Sequence, residues 1–208
     1  MHILLTNDDG LKALGLQTLK RELSAHNCRL TVVAPNGQRS AASHSMSINK
    51  ALYCQELPRE KEGIREIAVS GTPVDCVKMA LEYFLKDDQP DLIISGINDG
   101  YNLGSDVLYS GTVSAAMEGP YYGLPAFAVS MKDMTEERCV ETARLVWQLI
   151  QKNHPSGPFS RHRQRQRAAP RGNQLKKRSD YVPDRSDLSQ RHCRKARPRR
   201  QYLLSNRR

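Results

Sequence analysis

Short apolar runs alternate with amphipathic segments along the first 150 residues, and this alternation is the feature that most limits the possible fold. Runs such as 30–34 and 91–95 have the length of strands, and their continuous apolar character is typical of strands buried on both faces. The segment 14–26 carries leucines at helical spacing. Because parallel strands need helical crossovers, we predict an α/β fold with a doubly wound, mostly parallel sheet. The predicted strands are 2–6, 30–34, 48–57, 64–70, 91–95 and 125–130, with 48–57 and 64–70 forming an antiparallel excursion, and the predicted helices are 14–26, 74–86, 112–118 and 135–151.

Positive charge is concentrated at the end of the 208-residue chain, whose formal net charge is +10. Residues 1–150 contain 14 Lys/Arg and 19 Asp/Glu, a net charge of −5, whereas residues 151–208 contain 18 Lys/Arg and 3 Asp/Glu, a net charge of +15. The chain is therefore predicted to consist of a globular domain, 1–150, and a basic tail, 151–208. The tail is poor in large apolar residues and is expected to be disordered by itself. Clustered arginines also suit a nucleic-acid-binding arm, although the aromatic residues that stack on bases are lacking.

The cysteines are dispersed and odd in number, which favours reduced thiols over a disulfide framework. No stretch of the sequence approaches the length of a membrane span, and the N-terminus lacks a basic segment followed by an apolar run. We therefore expect a soluble, cytoplasmic protein that makes no membrane contact. The five cysteines are Cys28, Cys54, Cys76, Cys139 and Cys193.

Two adjacent aspartates, Asp8 and Asp9, follow the first predicted strand. Ligands of open α/β sheets bind outside the carboxyl ends of the strands, where the loops converge. Two carboxylates side by side repel each other and favour a cation between or beside them. The same residues also fit a simple turn, or a cap by Asp9 on the following helix.

Three further loops carry polar residues that would reach the same edge of a parallel sheet. Ser40 follows the second strand, Asn98 follows the fifth, and 110–112 opens a helix. Carboxylate, hydroxyl and amide oxygens together form a ligand set that suits Mg²⁺ or Mn²⁺, and a helix start offers N–H groups to an anion. Each residue also has a structural interpretation, as a turn former or as a helix cap. His44 is interpreted as a loop residue, and Tyr101 and Tyr109 fit either stacking on a base or packing inside.

Two other enzyme classes are excluded by spacing. Haloacid-dehalogenase phosphatases need Asp-x-Asp, but the aspartates here are adjacent. Zinc deacetylases with a His-Pro-Asp-Asp motif need histidines, but Thr6 and Asn7 occupy the corresponding positions.

Five ordered motifs within residues 1–150 resemble the survival protein SurE family of nucleotidases. They are Asn7-Asp8-Asp9-Gly10, Arg39-Ser40, Gly71-Thr72-Pro73-Val74-Asp75-Cys76, Ser95-Gly96-Ile97-Asn98-Asp99-Gly100-Tyr101-Asn102-Leu103-Gly104 and Tyr109-Ser110-Gly111-Thr112-Val113. The resemblance implies a Rossmann-like sheet and a phosphatase that uses one divalent ion, Mg²⁺ or Mn²⁺. Its expected substrates are nucleoside 5′- and 3′-monophosphates, with short polyphosphate as a further substrate of some members. A homodimer or tetramer is also implied.

The resemblance also assigns roles to individual residues. The metal ligands would be Asp8, Asp9, Ser40 and Asn98, and the phosphate-binding groups would be Asn98, Ser110, Gly111 and Thr112. A metal ion offsets the charge of the phosphate, orients the ester and lowers the pKa of the water that it binds. Asp8 or Asp9 would act as the general base, and the residues leave open which one.

The tail departs from the family pattern. The family continues with a core strand that ends in a pattern like Leu-Asn-Val-Asn-Val-Pro, followed by a region that builds the oligomer. Residues 157–168 can be translated back into their permitted codons. When these codons are read one nucleotide later, they allow a sequence like that family strand. We therefore hypothesise that the tail is a frameshifted product attached to a truncated nucleotidase domain, which resequencing across the junction would test. The ranked alternative is a nucleic-acid-binding protein that acts through its arginine-rich tail over an inactive α/β domain.

Overall fold

Five neighbouring parallel strands form most of one sheet in the computed structural model, which describes residues 1–59, 61–153, 194–196 and 201–204. The elements in chain order are β1 (His2–Thr6), α1 (Leu14–Ser24), β2 (Arg29–Pro35), β3 (Leu52–Glu56), β4 (Ile64–Val69), α2 (Pro73–Met79), β5 (Leu92–Asp99), α3 (Gly111–Tyr121), β6 (Ala126–Met131), α4 (Glu136–Asn153), β7 (Arg194–Ala196) and β8 (Gln201–Leu204). A π-helical turn, Ala80–Phe84, extends α2, and a 3₁₀ helix, Gly104–Leu108, precedes α3.

The strand order β6-β5-β1-β2-β4-β3-β8-β7 places the first strand in the interior of the sheet. From β1 the chain proceeds outward to β2 and β4 on one side, and later to β5 and β6 on the other. The order therefore reverses between β1 and β5, and in open α/β sheets this reversal opens a crevice at the carboxyl ends of the strands. The predicted doubly wound α/β sheet is confirmed.

Both faces of the sheet are covered by apolar packing. On β1, Ile3 and Leu5 belong to a buried cluster that also contains residues of α1 and α4, whereas Leu4 belongs to a second cluster with residues of α2 and α3. Residues of β5 divide between the same two clusters. Burial on both faces explains why these strands read as continuous apolar runs.

Three predicted elements differ from the structure. The runs near 48–57 and 64–70 do pair antiparallel, as β3 with β4, but β4 also pairs parallel with β2 and so belongs to the parallel sheet. The helix predicted over 74–86 changes to π-helical geometry after Met79. The strand predicted to end at residue 95 continues to Asp99, with a shift in its register against β6 between Ser95 and Asn98. Asn98 therefore lies in a strand and not in a loop.

Most of the predicted tail lies outside the described residues. The two interpretations of the tail, as a nucleic-acid arm and as a frameshifted product, concern that part of the chain. Within 151–208, the end of α4 and the strands β7 and β8 are described. β8 pairs antiparallel with β3, and β7 pairs antiparallel with β8. In the described part of the chain, no helix is long and apolar enough to cross a membrane.

Close contact between α1 and β5 requires a glycine on the helix. A Cβ atom added at Gly15 would lie 2.2 Å from the backbone oxygen of Ile97, and this oxygen belongs to a buried strand that cannot retreat easily. Because the contact is with backbone, Gly15→Ala is expected to lower the free energy of unfolding by about 3 kcal/mol, the upper end of the usual cost of overpacking.

The matched control is Gly37→Ala, because a Cβ atom there would have no neighbour within 4 Å. This control is expected to leave stability unchanged, or to raise it by less than about 1 kcal/mol through the lower entropy of the unfolded chain. Urea denaturation of both variants measures the difference. Equal stability of the two variants would show that α1 and β5 are not in close contact at Gly15.

Candidate functional site

A closed turn at the end of β1 fixes the two aspartates. The buried side chain of Asn7 accepts a hydrogen bond from the Gly10 N–H (3.1 Å) and donates one to the Gly10 carbonyl oxygen (2.9 Å). Gly10 has φ of +101°, a backbone conformation that favours glycine. Asp8 and Asp9 lie inside this turn, so their positions are set by local backbone geometry.

Asp8 is held by the first turn of α3. Only 6% of Asp8 is exposed. The Thr112 hydroxyl donates to Oδ1 (2.6 Å), and the Thr112 backbone N–H donates to Oδ2 (3.2 Å). A Cβ atom on Gly111 would lie 2.9 Å from the Cβ of Asp8, so a glycine there allows the helix to approach the aspartate. The positive end of the helix dipole also favours a carboxylate in this place.

Asp9 lies where excess negative charge accumulates. Partial burial raises its pKa above the usual value, and so does the neighbouring charge of Asp8. Hydrogen bonds from the backbone of Asp99 and from the side chain of Gln38 act in the opposite direction, while the charge of Asp99 raises the pKa further. The end of β5 and the loop after β2 therefore both reach Asp9. A cation beside these carboxylates would relieve their mutual repulsion.

The loop after β2 approaches the aspartates through its backbone. The N–H of Arg39 donates to the backbone oxygen of Asp8 (2.6 Å). Ser40, the next residue, is exposed at this edge of the sheet. The structure thus brings Ser40 to the predicted neighbourhood, as an exposed residue.

Asn98, near the end of β5, keeps one polar atom available. Its Nδ2 donates to the Gly100 carbonyl oxygen (2.9 Å), which orients the amide. No hydrogen bond to its Oδ1 occurs among the described residues. An amide oxygen free of donors is a suitable ligand for a hard cation.

The start of α3 is capped by Ser110, whose buried Oγ accepts from the Val113 N–H (3.1 Å). A helix cap is one of the two interpretations that the sequence left open for this residue. The hydroxyl hydrogen of Ser110 stays available for a further acceptor. In contrast, the N–H and hydroxyl of Thr112, a predicted phosphate ligand, both donate to Asp8. Thr112 therefore orients the aspartate in this structure.

The loop segment 43–47 lies beside the site. It is held by polar contacts to the end of the 3₁₀ helix, to α3 and to α2. The Ser43 N–H donates to the Tyr109 carbonyl oxygen (3.1 Å), and His44 pairs with the nearly buried Glu118 of α3 (Nε2 to Oε1, 2.6 Å). The Ser47 N–H donates to Asp75 Oδ1 (3.0 Å). His44 is thus a loop residue, as predicted, with a partner that the sequence did not indicate.

Four residues around the site were not singled out by sequence reasoning. Asp75 has the clearest sequence signal, since Thr72 and Asp75 form a capping box at the start of α2. Gln38, in the loop after β2, and Asp99, at the end of β5, both contact Asp9, and sequence alone cannot bring these segments together. No local sequence pattern indicates that Glu118 pairs with His44, because the two residues are 74 positions apart in the chain.

The donors at this edge fit a hard divalent cation. They are all oxygens, from two carboxylates, one amide and one hydroxyl, a set that suits Mg²⁺ or Mn²⁺ more than zinc. Among the residues that the structure describes, no three His, Cys, Asp or Glu side chains are grouped to hold a metal by themselves. Asp8 and Asp9 would therefore need Asn98 and Ser40 as uncharged oxygen ligands.

Comparison with known proteins finds a matching family and similar sequences. The family model described as survival protein SurE matches residues 3–175, which extends past the domain boundary predicted at residue 150. A 5′-nucleotidase SurE of Caldanaerobacter subterraneus is 50% identical over 139 residues, covering 65% of this chain and 54% of the relative. Another, of Carboxydothermus hydrogenoformans, is 44% identical over 160 residues, covering 74% and 60%.

The fold comparison agrees as well. The crystal structure of a SurE protein from Aquifex aeolicus matches with a TM-score of 0.66 and 35% identity, covering 76% of this chain and 61% of that one. In each comparison the chain spans less than two thirds of the relative's own length. Since the family model matches most of the chain, the protein belongs to the survival protein SurE family.

Proposed function

We propose that this protein hydrolyses nucleoside 5′- and 3′-monophosphates to nucleoside and phosphate, with one Mg²⁺ or Mn²⁺ ion, and that short polyphosphate is a further substrate. The observation that carries the proposal is the contact between Asp8 and Thr112, because it joins a carboxylate pair to a helix start that can receive phosphate. The relatives described as 5′-nucleotidases support the same chemistry.

A phosphate monoester presents negative charge to any nucleophile, so the site must offset that charge. The proposed ion would be held by Asp8, Asp9, Asn98 and Ser40, and it would supply charge neutralisation and activation of water. Since the N–H groups of Thr112 and Val113 donate to Asp8 and Ser110, the N-terminus of α3 would add the N–H of Gly111 and the positive end of the helix dipole. The Ser110 hydroxyl hydrogen would donate to an oxygen of the phosphate, where charge shifts during the reaction.

The two aspartates would have different roles in the reaction. Both oxygens of Asp8 accept hydrogen bonds from Thr112, so its carboxylate is fixed in orientation. Asp9 is less buried than Asp8. Asp9 is therefore our candidate for the group that accepts the proton of the attacking water, and Asp8 for the group that fixes the geometry.

Asp8→Asn is expected to lower turnover of AMP by about 100-fold or more, because the site loses a charged ligand. The fold is expected to remain, since the amide is isosteric with the carboxylate. Phosphate release and thermal unfolding measure the two effects. The control is Asp87→Asn, an identical charge change on an exposed residue in the turn before β5. Full activity of Asp8→Asn would refute the proposed role of Asp8.

Removal of divalent ions is expected to abolish phosphate release from AMP, and adding Mg²⁺ or Mn²⁺ is expected to restore it. The physical reason is that the two carboxylates cannot receive a phosphate dianion without a cation between them. Assays after dialysis against EDTA, with each metal returned separately, measure this. Unchanged turnover in excess EDTA would exclude a metal-dependent reaction.

Thr112→Val is expected to lower turnover about tenfold and to cost about 1–3 kcal/mol of stability, because a buried carboxylate oxygen loses its donor. Thr112→Ser keeps the hydroxyl and is expected to retain most of the turnover and most of the stability. The pair of variants separates the hydrogen bond from the volume of the side chain. Equal activity of the valine and serine variants would show that the hydroxyl does not orient Asp8.

A further inference from the structure

Two tyrosine rings next to the candidate site are exposed to solvent. Tyr101 is 56% exposed and Tyr109 is 62% exposed. The ring contacts found in the described part of the chain involve other aromatic residues. The structure therefore selects between the two interpretations that the sequence left open, since neither tyrosine is packed inside.

The backbone that carries each ring is fixed to the site. Tyr109 directly precedes Ser110, and its carbonyl oxygen accepts from the Ser43 N–H. Tyr101 directly follows Gly100, whose N–H donates to the Met131 carbonyl oxygen (2.6 Å). The Gly100 carbonyl oxygen also accepts from Asn98. Both rings thus start from anchored positions one to three residues from predicted ligands of the metal or the phosphate.

Two leucines between the tyrosines in the chain are exposed as well. Leu103 and Leu108, at either end of the 3₁₀ helix, are also exposed. We call these four residues, Tyr101, Leu103, Leu108 and Tyr109, the apolar rim. Several large apolar side chains exposed within nine residues of the chain, next to a polar site, are typical of a binding surface. A ligand that suits both the rim and the polar edge must join a phosphate to a flat apolar group.

We propose that Tyr101 and Tyr109 in the apolar rim bind the nucleobase of the substrate by stacking, an inference that rests on the proposed nucleotidase function. A nucleoside monophosphate carries its base a few bonds from its phosphate, so the residue directly before Ser110 is a suitable position for a ring that contacts the base when the phosphate lies at the start of α3. Every base has a π face, so stacking tolerates all bases. The larger purines are expected to bind more tightly than pyrimidines.

Binding of AMP and of ribose 5-phosphate, measured by calorimetry with Mg²⁺ present, tests this inference directly. The two ligands share the phosphate and the ribose, and only AMP has a base. Tyr109→Ala is expected to weaken AMP binding about tenfold, in line with the usual loss of one stacked base. Ribose 5-phosphate binding is expected to stay the same. Tyr101→Ala is expected to act in the same direction, and Tyr109→Phe is expected to retain wild-type affinity.

Tyr121→Ala provides the matched control. Tyr121 is 68% exposed at the far end of α3, about 17 Å along the helix from Ser110. The control is expected to bind both ligands as the wild type does. An equal loss of both ligands, or no loss, in Tyr109→Ala would overturn the inference. A change of oligomeric state in size-exclusion chromatography would also overturn it, because the rim would then be a contact between copies of this chain.

Kinetics separate this inference from the function on which it rests. If the wild type hydrolyses AMP, Tyr109→Ala is expected to raise KM for AMP about tenfold with kcat retained, and to leave both constants for ribose 5-phosphate unchanged. If the wild type binds AMP through the rim but releases no phosphate, the proposed function fails while the base-binding role stands.

Discussion

The contact between Asp8 and Thr112 is the interaction on which the rest of the site depends. It joins the end of the central strand β1 to the first turn of α3, two elements that are 104 residues apart in the chain. A nearly buried carboxylate is costly unless donors satisfy both of its oxygens, and the hydroxyl and N–H of one threonine do so here. Gly111 makes this approach possible because it has no side chain to separate the helix from the aspartate. The distance between the carboxylate pair and the helix start is fixed as a result.

Charge at this edge of the sheet is arranged around that contact. Asp8 and Asp9, with Asp99 nearby, gather negative charge, while the start of α3 directs N–H groups toward the same region. A phosphate dianion alone would be repelled by these carboxylates. A divalent ion bound together with the phosphate would offset this repulsion, and the positive end of the helix dipole would favour the phosphate. The loop that carries His44 and the apolar rim lie beside this polar centre, where the organic part of a phosphate ester would extend.

Sequence reasoning predicted the parts that depend on local patterns. The alternation of apolar runs indicated the doubly wound sheet, and Asp8 and Asp9 were placed correctly at the carboxyl end of the first strand. It failed where long-range pairing decides the structure. Pairing with β6 extends β5 through Asn98 to Asp99 across a register shift, and pairing with β2 brings β4 into the parallel sheet. The partner of Thr112, and the pairing of His44 with Glu118, depend on how α3 packs against distant loops, which no local pattern encodes.

The most direct test of this account is a titration of the protein with Mn²⁺, followed by electron paramagnetic resonance, in the wild type and in Asp9→Asn. We expect one bound ion per chain in the wild type, with affinity that increases when inorganic phosphate is added, because the helix start and the ion share the anion. Asp9→Asn is expected to bind Mn²⁺ at least about tenfold more weakly while its fold is retained. Binding of Mn²⁺ that is equal in both proteins and indifferent to phosphate would contradict a metal and phosphate site at the ends of β1 and β5.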